Sequence, residues 1–101
     1  MVVISRATLN EFAEKYPDSQ SALIKWYDET KAADWKNFSD VKKTFNTTDY
    51  VGNDRYVFDI KGNQYRLVVL IIFKVRTVFI LFVGTHAAYD KIDVANITCK
   101  K

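Results

Sequence analysis

The sequence predicts an α+β domain in which N-terminal helices pack on one face of a small, mainly antiparallel sheet. Up to residue 46, apolar side chains recur at the three- and four-residue spacing of a helix. From residue 56 onward they alternate with polar side chains or form short apolar runs, as strands do. The chain has 101 residues, of which 49% are hydrophobic, and this predicts a single domain over residues 1–101 with its own core.

A strand and a helix are predicted at the start of the chain. The β-branched segment Val2–Ile4 favours a short strand. Thr8 and Glu11 have the spacing of a capping box, in which both side chains satisfy free N–H groups at a helix start. The apolar side chains that follow share one helical face: Leu9, Phe12, Ala13 and Tyr16. Pro17 ends this helix and suits the first turn of the next.

Two more helices are predicted before the sheet. The second helix covers residues 18–33 and buries a stripe of apolar side chains that includes Trp26. Ser39 is the expected N-cap of a third, shorter helix. We assign the tryptophans Trp26 and Trp35 to packing.

Strands follow in the second half. Three of them are predicted, over residues 56–61, 64–73 and 78–84. Residues 51–54 are turn-like, and Gly62-Asn63 is a two-residue turn that closes the first two strands into a hairpin. This turn places Asp59 opposite Arg66. The middle strand is almost wholly apolar and is expected to be central and covered on both faces. Thr85 is expected to cap a last turn of helix.

Charge is distributed unevenly along the chain. Residues 1–54 carry seven Lys or Arg against nine Asp or Glu, a net −2, whereas residues 55–101 carry eight against three, a net +5. A basic half favours an anionic partner, most often nucleic acid. The apolar runs are too short to span a membrane and no signal-peptide pattern is present, so we expect a cytoplasmic protein without membrane contacts. Cys99 is the single cysteine, and no spacing predicts a metal or cofactor site.

Arg66 lies inside the most apolar predicted strand. A guanidinium group there is costly to desolvate unless it pairs with an anion or faces an open groove. One interpretation is a structural ion pair with Asp59. The other is a phosphate clamp, because guanidinium donors match phosphate oxygens bidentately. The two are compatible, since Asp59 can orient Arg66 for its ligand.

His86 is the only histidine and follows the end of the last predicted strand. Histidine is the side chain best suited to transfer protons at neutral pH, although a lone histidine often has no such role. Tyr89 and Asp90 follow at helical spacing on the same side. Tyr89 can stack on a base, and Lys91 can hold a phosphate.

RNA cleavage requires few protein groups, because the ribose 2′-OH is the nucleophile. It needs a proton acceptor near that hydroxyl, a proton donor for the leaving 5′-oxygen and positive charge on the transition state. Arg66, His86 and lysines such as Lys61 meet these requirements. DNA lacks the 2′-OH and would not be cut in this way.

Three segments resemble HigB-type toxins of the RelE-like group. Residues 83–90 resemble the T-H-x-x-Y-D ending of that family, and residues 58–67 resemble its F-x-x-x-G-N-x-x-R-L hairpin. Residues 32–35 followed by 40–45 resemble its central helical segment. The resemblance covers nearly the whole chain, and its segments occur in the family's order.

The resemblance implies a RelE-like fold and a ribonuclease toxin that cuts mRNA, commonly on the translating ribosome. It also implies a cognate antitoxin encoded beside the toxin, HigA-like and often with a helix-turn-helix domain. With Lys61 added for its charge, the expected site residues are Arg66, His86 and Tyr89 as catalytic groups, and Lys91, Asp90 and Lys61 in substrate binding.

Two other functions stay open from the sequence. One is a basic RNA-binding or protein-binding module without catalysis, and the other is a folded but inactive toxin. The feature that separates them from a ribonuclease is whether Arg66 and His86 face one groove. We expect that they do, with Tyr89 and Lys91 at its rim.

Overall fold

A computed structural model describes residues 1–97 of the chain. Cys99 lies outside the described residues. The strands are β1 (Val2–Ile4), β2 (Asp49–Gly52), β3 (Arg55–Ile60), β4 (Tyr65–Ile72) and β5 (Thr77–Thr85). The helices are α1 (Arg6–Lys15), α2 (Gln20–Ala32), α3 (Phe38–Thr44) and α4 (His86–Tyr89), with 3₁₀ turns at Pro17–Ser19 and Phe73–Val75.

The five strands form one sheet in the order β1-β5-β4-β3-β2. Only β1 runs parallel to its neighbour, β5, and the other three pairings are antiparallel. The predicted α+β class with a mainly antiparallel sheet is confirmed. The strand at Val2–Ile4 is confirmed as well, at the edge of the sheet.

The predicted helix starts are wrong by a few residues. Ser5, in a left-handed conformation with φ 75°, precedes α1, and Thr8 lies inside the helix rather than at its cap. One residue separates β1 from α1, so the chain must turn at Ser5 and the helix begins there. Asn37, not Ser39, caps α3: its side chain accepts a hydrogen bond from the Asp40 N–H at 3.0 Å. An extended backbone at Asn37 brings its side chain within reach of that N–H group.

The second helix begins later than predicted. Residues 17–19 form a 3₁₀ turn, and α2 covers Gln20–Ala32 rather than residues 18–33. The hydroxyl of Ser19 donates to the carbonyl of Tyr16 at 2.7 Å inside this turn. The fixed φ of Pro17 fits such a tight turn, so the proline shapes a corner between two helices.

The turns of the sheet differ from the prediction in two places. Residues 49–52, of which 51–52 were assigned to a turn, form strand β2, and the turn is Asn53-Asp54, both at positive φ. Positive φ at both central residues matches the twist of a two-residue hairpin. Between β3 and β4 the ladder ends at Ile60 and Tyr65, so the connection has four residues rather than two. The predicted pairing of Asp59 with Arg66 is nevertheless confirmed.

The end of β5 has the predicted cap. Thr85 accepts a hydrogen bond from the Ala88 N–H at 3.2 Å and begins α4. The connection between β4 and β5 contains no glycine and turns at Arg76, which adopts a left-handed conformation with φ 54°. Within residues 1–97, no helix has the length and apolar character to cross a membrane.

The main core lies between the N-terminal helices and one face of the sheet. Trp26 is buried beside Phe58 with ring centroids 5.4 Å apart, and Trp35 donates its indole N–H to Thr44 Oγ1 at 3.1 Å. Both tryptophans therefore pack as predicted. The sheet contributes alternate residues to this core: Tyr56, Phe58, Ile60, Tyr65, Leu67, Val69, Ile71, Val78 and Ile80.

The opposite face of the sheet is covered by α4 and the segment that follows it. Arg55 donates two hydrogen bonds to the carbonyl of Ile97, at 3.2 and 2.8 Å, and Asn53 donates to the carbonyl of Ala95 at 2.9 Å. Val57 and Val68 are buried on this face. Strand β4 is thus central and covered on both faces, as predicted.

Candidate active site

Arg66 and Asp59 form an ion pair on the α4 face of the sheet. Because they are cross-strand partners on β4 and β3, their side chains leave the sheet side by side. The Arg66 side chain is 22% exposed and that of Asp59 is 20% exposed, so the pair is largely removed from water. Asp59 contacts Nη1 of Arg66. Within residues 1–97 neither Nε nor Nη2 makes a hydrogen bond, but Nε is buried, so the donors left for a ligand are on the Nη atoms.

Tyr89 of α4 lies against the same guanidinium group. The Cζ atom of Arg66 is 5.6 Å from the centroid of the Tyr89 ring, a cation–π contact. The guanidinium group is therefore held by a carboxylate and by an aromatic ring. The structure brings together two of the predicted site residues, Arg66 and Tyr89.

Gly84 allows α4 to approach the sheet this closely. It is the cross-strand partner of Arg66 on β5. A methyl group on Gly84 would lie 2.5 Å from Cζ of Phe82 and 3.3 Å from Cβ of Ala88. The sequence alone does not mark Gly84 as a site residue, because the need for a small residue arises only when α4 folds back over β5.

His86 is the first residue of α4 and is half-buried. The residue before it, Thr85, pairs with Tyr65, the neighbour of Arg66 on β4. His86 and Arg66 thus belong to the same end of the sheet. The imidazole makes no hydrogen bond within residues 1–97, and the convergence of His86 and Arg66 on one groove stays a prediction.

Asp90 and Lys91 follow α4 and are exposed. Their backbone N–H groups donate to the carbonyls of His86 and Ala88, at 3.0 and 3.2 Å, and so continue the turn of α4. Their predicted role in substrate binding stays a prediction.

Lys61 lies at the corner between α1 and α2 rather than beside Arg66. Its Nζ atom is 2.8 Å from the Asp18 carboxylate, and the Tyr65 hydroxyl donates to the same carboxylate at 2.7 Å. The hydrogen bonds from Lys61 and Tyr65 lower the pKa of Asp18, and the bond to Asp18 raises the pKa of Tyr65. Asp18 was not predicted, because 43 residues separate it from Lys61 and no local pattern links them.

The hairpin and the final strand-to-helix turn therefore supply the candidate site. A family model described as the HigB toxin, the RelE-like toxic component of a toxin-antitoxin system, matches residues 19–92. The chain belongs to this family. The matched region includes every predicted site residue of this HigB-family chain, together with Asp59 and Gly84.

Relatives of known name support this assignment. The chain is 33% identical to the mRNA interferase HigB of Escherichia coli O6:H1 (strain CFT073) over 94 residues, which cover 91% of each chain. It is 30% identical to the mRNA interferase toxin HigB of Escherichia coli K12 over 93 residues, which cover 89% of this chain and 88% of that relative. The mRNA interferase HigB of Shigella flexneri has the same identity and coverage.

Proposed function

We propose that this chain is the toxin of a type II toxin-antitoxin system and a metal-independent endoribonuclease that cuts mRNA, acting as one domain over residues 1–101. The observation that carries the proposal is the guanidinium group of Arg66, held between Asp59 and Tyr89. The names of its relatives support the same activity.

The proposed reaction uses the RNA itself as nucleophile. The 2′-oxygen forms a bond to the adjacent phosphorus, and the bond from phosphorus to the 5′-oxygen breaks, leaving a 2′,3′-cyclic phosphate and a 5′-hydroxyl. Arg66 donates to the non-bridging oxygens, where negative charge grows in the transition state. His86 transfers a proton between the 2′-hydroxyl, the 5′-oxygen and solvent. No step requires a metal ion or cofactor.

Tyr89 has two roles in this proposal. Its ring contacts the Arg66 guanidinium group, and a base next to the cut stacks on the opposite face of the ring. Lys91 binds a phosphate of the incoming strand as an exposed cation. Asp90, which is exposed after α4, orients a neighbouring group.

The proposed partners follow from the family. A cognate antitoxin, HigA-like and with a helix-turn-helix domain, binds the toxin and neutralises it. The mRNA is cut on the translating ribosome, in the cytoplasm. The net charge of +5 in residues 55–101 supports binding to an anionic partner such as RNA.

Induced expression in a bacterial host tests the proposal. We expect growth arrest, relief of that arrest by the neighbouring gene, and new mRNA 5′ ends bearing hydroxyl groups. Sequencing of those ends, with and without prior phosphorylation by a kinase, identifies the 5′-hydroxyl. Growth arrest without new RNA ends would contradict a ribonuclease and favour a module that only binds. Absence of growth arrest would contradict the proposal that the chain is a toxin.

A further inference from the structure

The edge of β3 is only partly covered by its neighbouring strand. Strand β2 pairs with residues 55–57 of β3, whereas residues 58–60 have no strand beside them on that side. A cavity of about 540 Å³ lies there, between α2, the end of α3 and the turn after β3. Its size is within the range of pockets that take small organic ligands.

The floor of this cavity is aromatic. Trp26 and Phe58 are 2% and 1% exposed, and Phe45 is half-buried beside them with its ring centroid 5.3 Å from that of Phe58. Every nucleobase has a π face, and stacking on such side chains contributes to binding whatever the base. Trp26 and Phe58 are buried beneath Phe45, so the half-buried Phe45 ring is the surface on which a flat aromatic ligand can stack.

The rim of the cavity carries lysines from three elements. Lys25 comes from α2, Lys43 from α3 and Lys61 from the turn after β3. Lys61 also contacts Asp18, and Lys43 lies 3.9 Å from Asp40 in an exposed pair. Such exposed pairs stabilise little and exchange readily for other anions. The rim thus suits phosphates on a flexible chain.

The cavity adjoins the candidate active site through Asp59. This residue lines the cavity, and its carboxylate forms the ion pair with Arg66. The free edge of β3 is where the two faces of the sheet meet, so an RNA strand held at Arg66 can continue into the cavity. The carboxylate of Asp59 faces Arg66 on the α4 side of the sheet, and the other acidic residue of the lining, Glu29, stands against three lysines.

We propose that this cavity binds a nucleotide of the substrate RNA next to the cut, with its base on the Phe45 ring and its phosphate at the lysines. The proposal rests on the ribonuclease activity proposed above, and it assigns the cavity as the site where one nucleotide of that RNA substrate is recognised. Asn46 and Thr47 line the mouth with exposed polar side chains. The amide of Asn46 offers a donor and an acceptor, the pair needed to distinguish base edges.

Sequencing of RNA ends tests whether the cavity recognises a particular base near the cut. The Asn46→Ala variant and the wild type are expressed separately, and the bases around each cut are compared. We expect the base preference at one fixed distance from the cut to fall about fivefold, near the lower end of what paired base-edge hydrogen bonds contribute. The matched control is Asn10→Ala, an exposed amide on α1 outside the cavity, whose profile should equal that of the wild type.

Binding measurements test the lysine rim. The probe is a single-stranded RNA of about ten nucleotides with 2′-O-methyl riboses, which cannot be cut. In Lys25→Glu/Lys43→Glu, we expect the slope of log K against log salt to fall by about 1.4, or about 0.7 for each phosphate that the variant no longer binds. The double variant Lys15→Glu/Lys74→Glu makes the same charge change outside the cavity, and its slope should stay near that of the wild type.

The outcomes separate this proposal from the previous one. If the wild type produces no RNA ends, the ribonuclease itself is contradicted. If the wild type cuts RNA but Asn46→Ala keeps its base profile and the two lysine variants bind alike, the cavity proposal alone fails. If Lys25→Glu/Lys43→Glu loses only its binding to the purified antitoxin, the cavity is a protein-binding site and the proposal is overturned.

Discussion

Arg66 and Leu67 are neighbours on β4 whose side chains leave the sheet on opposite faces. Leu67 is fully buried in the core under the N-terminal helices, among apolar and aromatic side chains. Arg66 lies under α4, where a carboxylate and a tyrosine ring contact its guanidinium group. One strand thus builds a packed core on one side and a charged site on the other.

The two faces of the sheet contribute differently, one to the stability of the fold and the other to the chemistry of the site. The helix face gains its free energy from apolar burial, which depends on shape and volume. The α4 face instead holds charges whose desolvation is offset by pairing, an arrangement that contributes little net stability but fixes a cation in place. Substitutions on the first face should therefore change folding, and substitutions on the second should change activity.

The largest expected effect is on activity at His86. We expect His86→Gln to reduce RNA cleavage by about 100- to 10,000-fold, because glutamine cannot transfer a proton. The free energy of unfolding should change little, since the imidazole makes no hydrogen bond within the described residues. Cleavage rates on an mRNA and urea unfolding measure the two quantities. If His86→Gln stays fully active while Tyr89→Phe does not, the proton carrier is the tyrosine.

Adjacent substitutions on β4 test the comparison directly. Arg66→Ala should lose about 100- to 1,000-fold in cleavage rate, because a charge-stabilising donor is removed. Arg66→Lys should retain only part of the wild-type cleavage rate, since an ammonium group cannot clamp a phosphate bidentately.

Leu67→Ala is the partner experiment on the helix face. It should lower the free energy of unfolding by about 2–5 kcal/mol, because it leaves a cavity in the core. Its cleavage rate per folded molecule should stay near that of the wild type. An Arg66→Ala protein that unfolds while Leu67→Ala does not would reverse the comparison and make the ion pair with Asp59 structural.

Gly84→Ala should give an intermediate effect on both quantities. The added methyl group meets Phe82 and Ala88, and overpacking of this kind typically costs about 1–3 kcal/mol. Because relief of the clash moves α4, the Tyr89 ring should leave Arg66 and the cleavage rate should fall. Urea unfolding and cleavage assays check this, with Gly62→Ala for comparison: no atom lies near its added methyl group, but its φ of 67° strains alanine, so it should lose stability without losing activity. A loss of stability without loss of activity would show that the position of α4 is unimportant for cleavage.

The smallest effect is expected at Asp18. Its folded pKa is lowered by Lys61 and Tyr65, so its contribution to stability is present above the unfolded pKa near 3.8 and is lost as pH falls through the folded pKa. Asp18→Asn should therefore be less stable than the wild type at neutral pH, and the difference should vanish in acid. Urea midpoints across pH measure it, with Asp28→Asn on α2 as control. A constant difference at all pH values would exclude this cause.

The register of the hairpin could be predicted from the sequence, and the conformation of its turn could not. Alternation along β3 and β4 fixes which side chains share a face, so Asp59 opposite Arg66 is predictable. Strand β2 was missed because its residues are exposed or half-exposed and it ends in a glycine, without the alternation that marks a strand. The cap at Asn37 was missed because Ser39, nearby, has an equally suitable side chain.

Contacts between segments that are distant in the sequence limit how much of the candidate site can be predicted from the sequence. Arg66 and His86 could be chosen from their chemistry and position. The cation–π contact of Tyr89 requires α4 to fold over Gly84, which no local pattern encodes. Lys61 was chosen for its charge, but its partner, Asp18, lies on a different element, so its orientation depends on tertiary packing.

The parallel pairing of β1 with β5 has a consequence for the order of folding. Val2 pairs with Thr77, 75 positions later, so the edge strand cannot dock until nearly the whole chain has been synthesised. Such long loops are slow to close. Part of the candidate site also comes late in the chain, because Gly84 lies near the end of β5, and His86 and Tyr89 lie in α4. A chain that stops before Thr77 therefore lacks the partner of β1, and one that stops before His86 lacks α4.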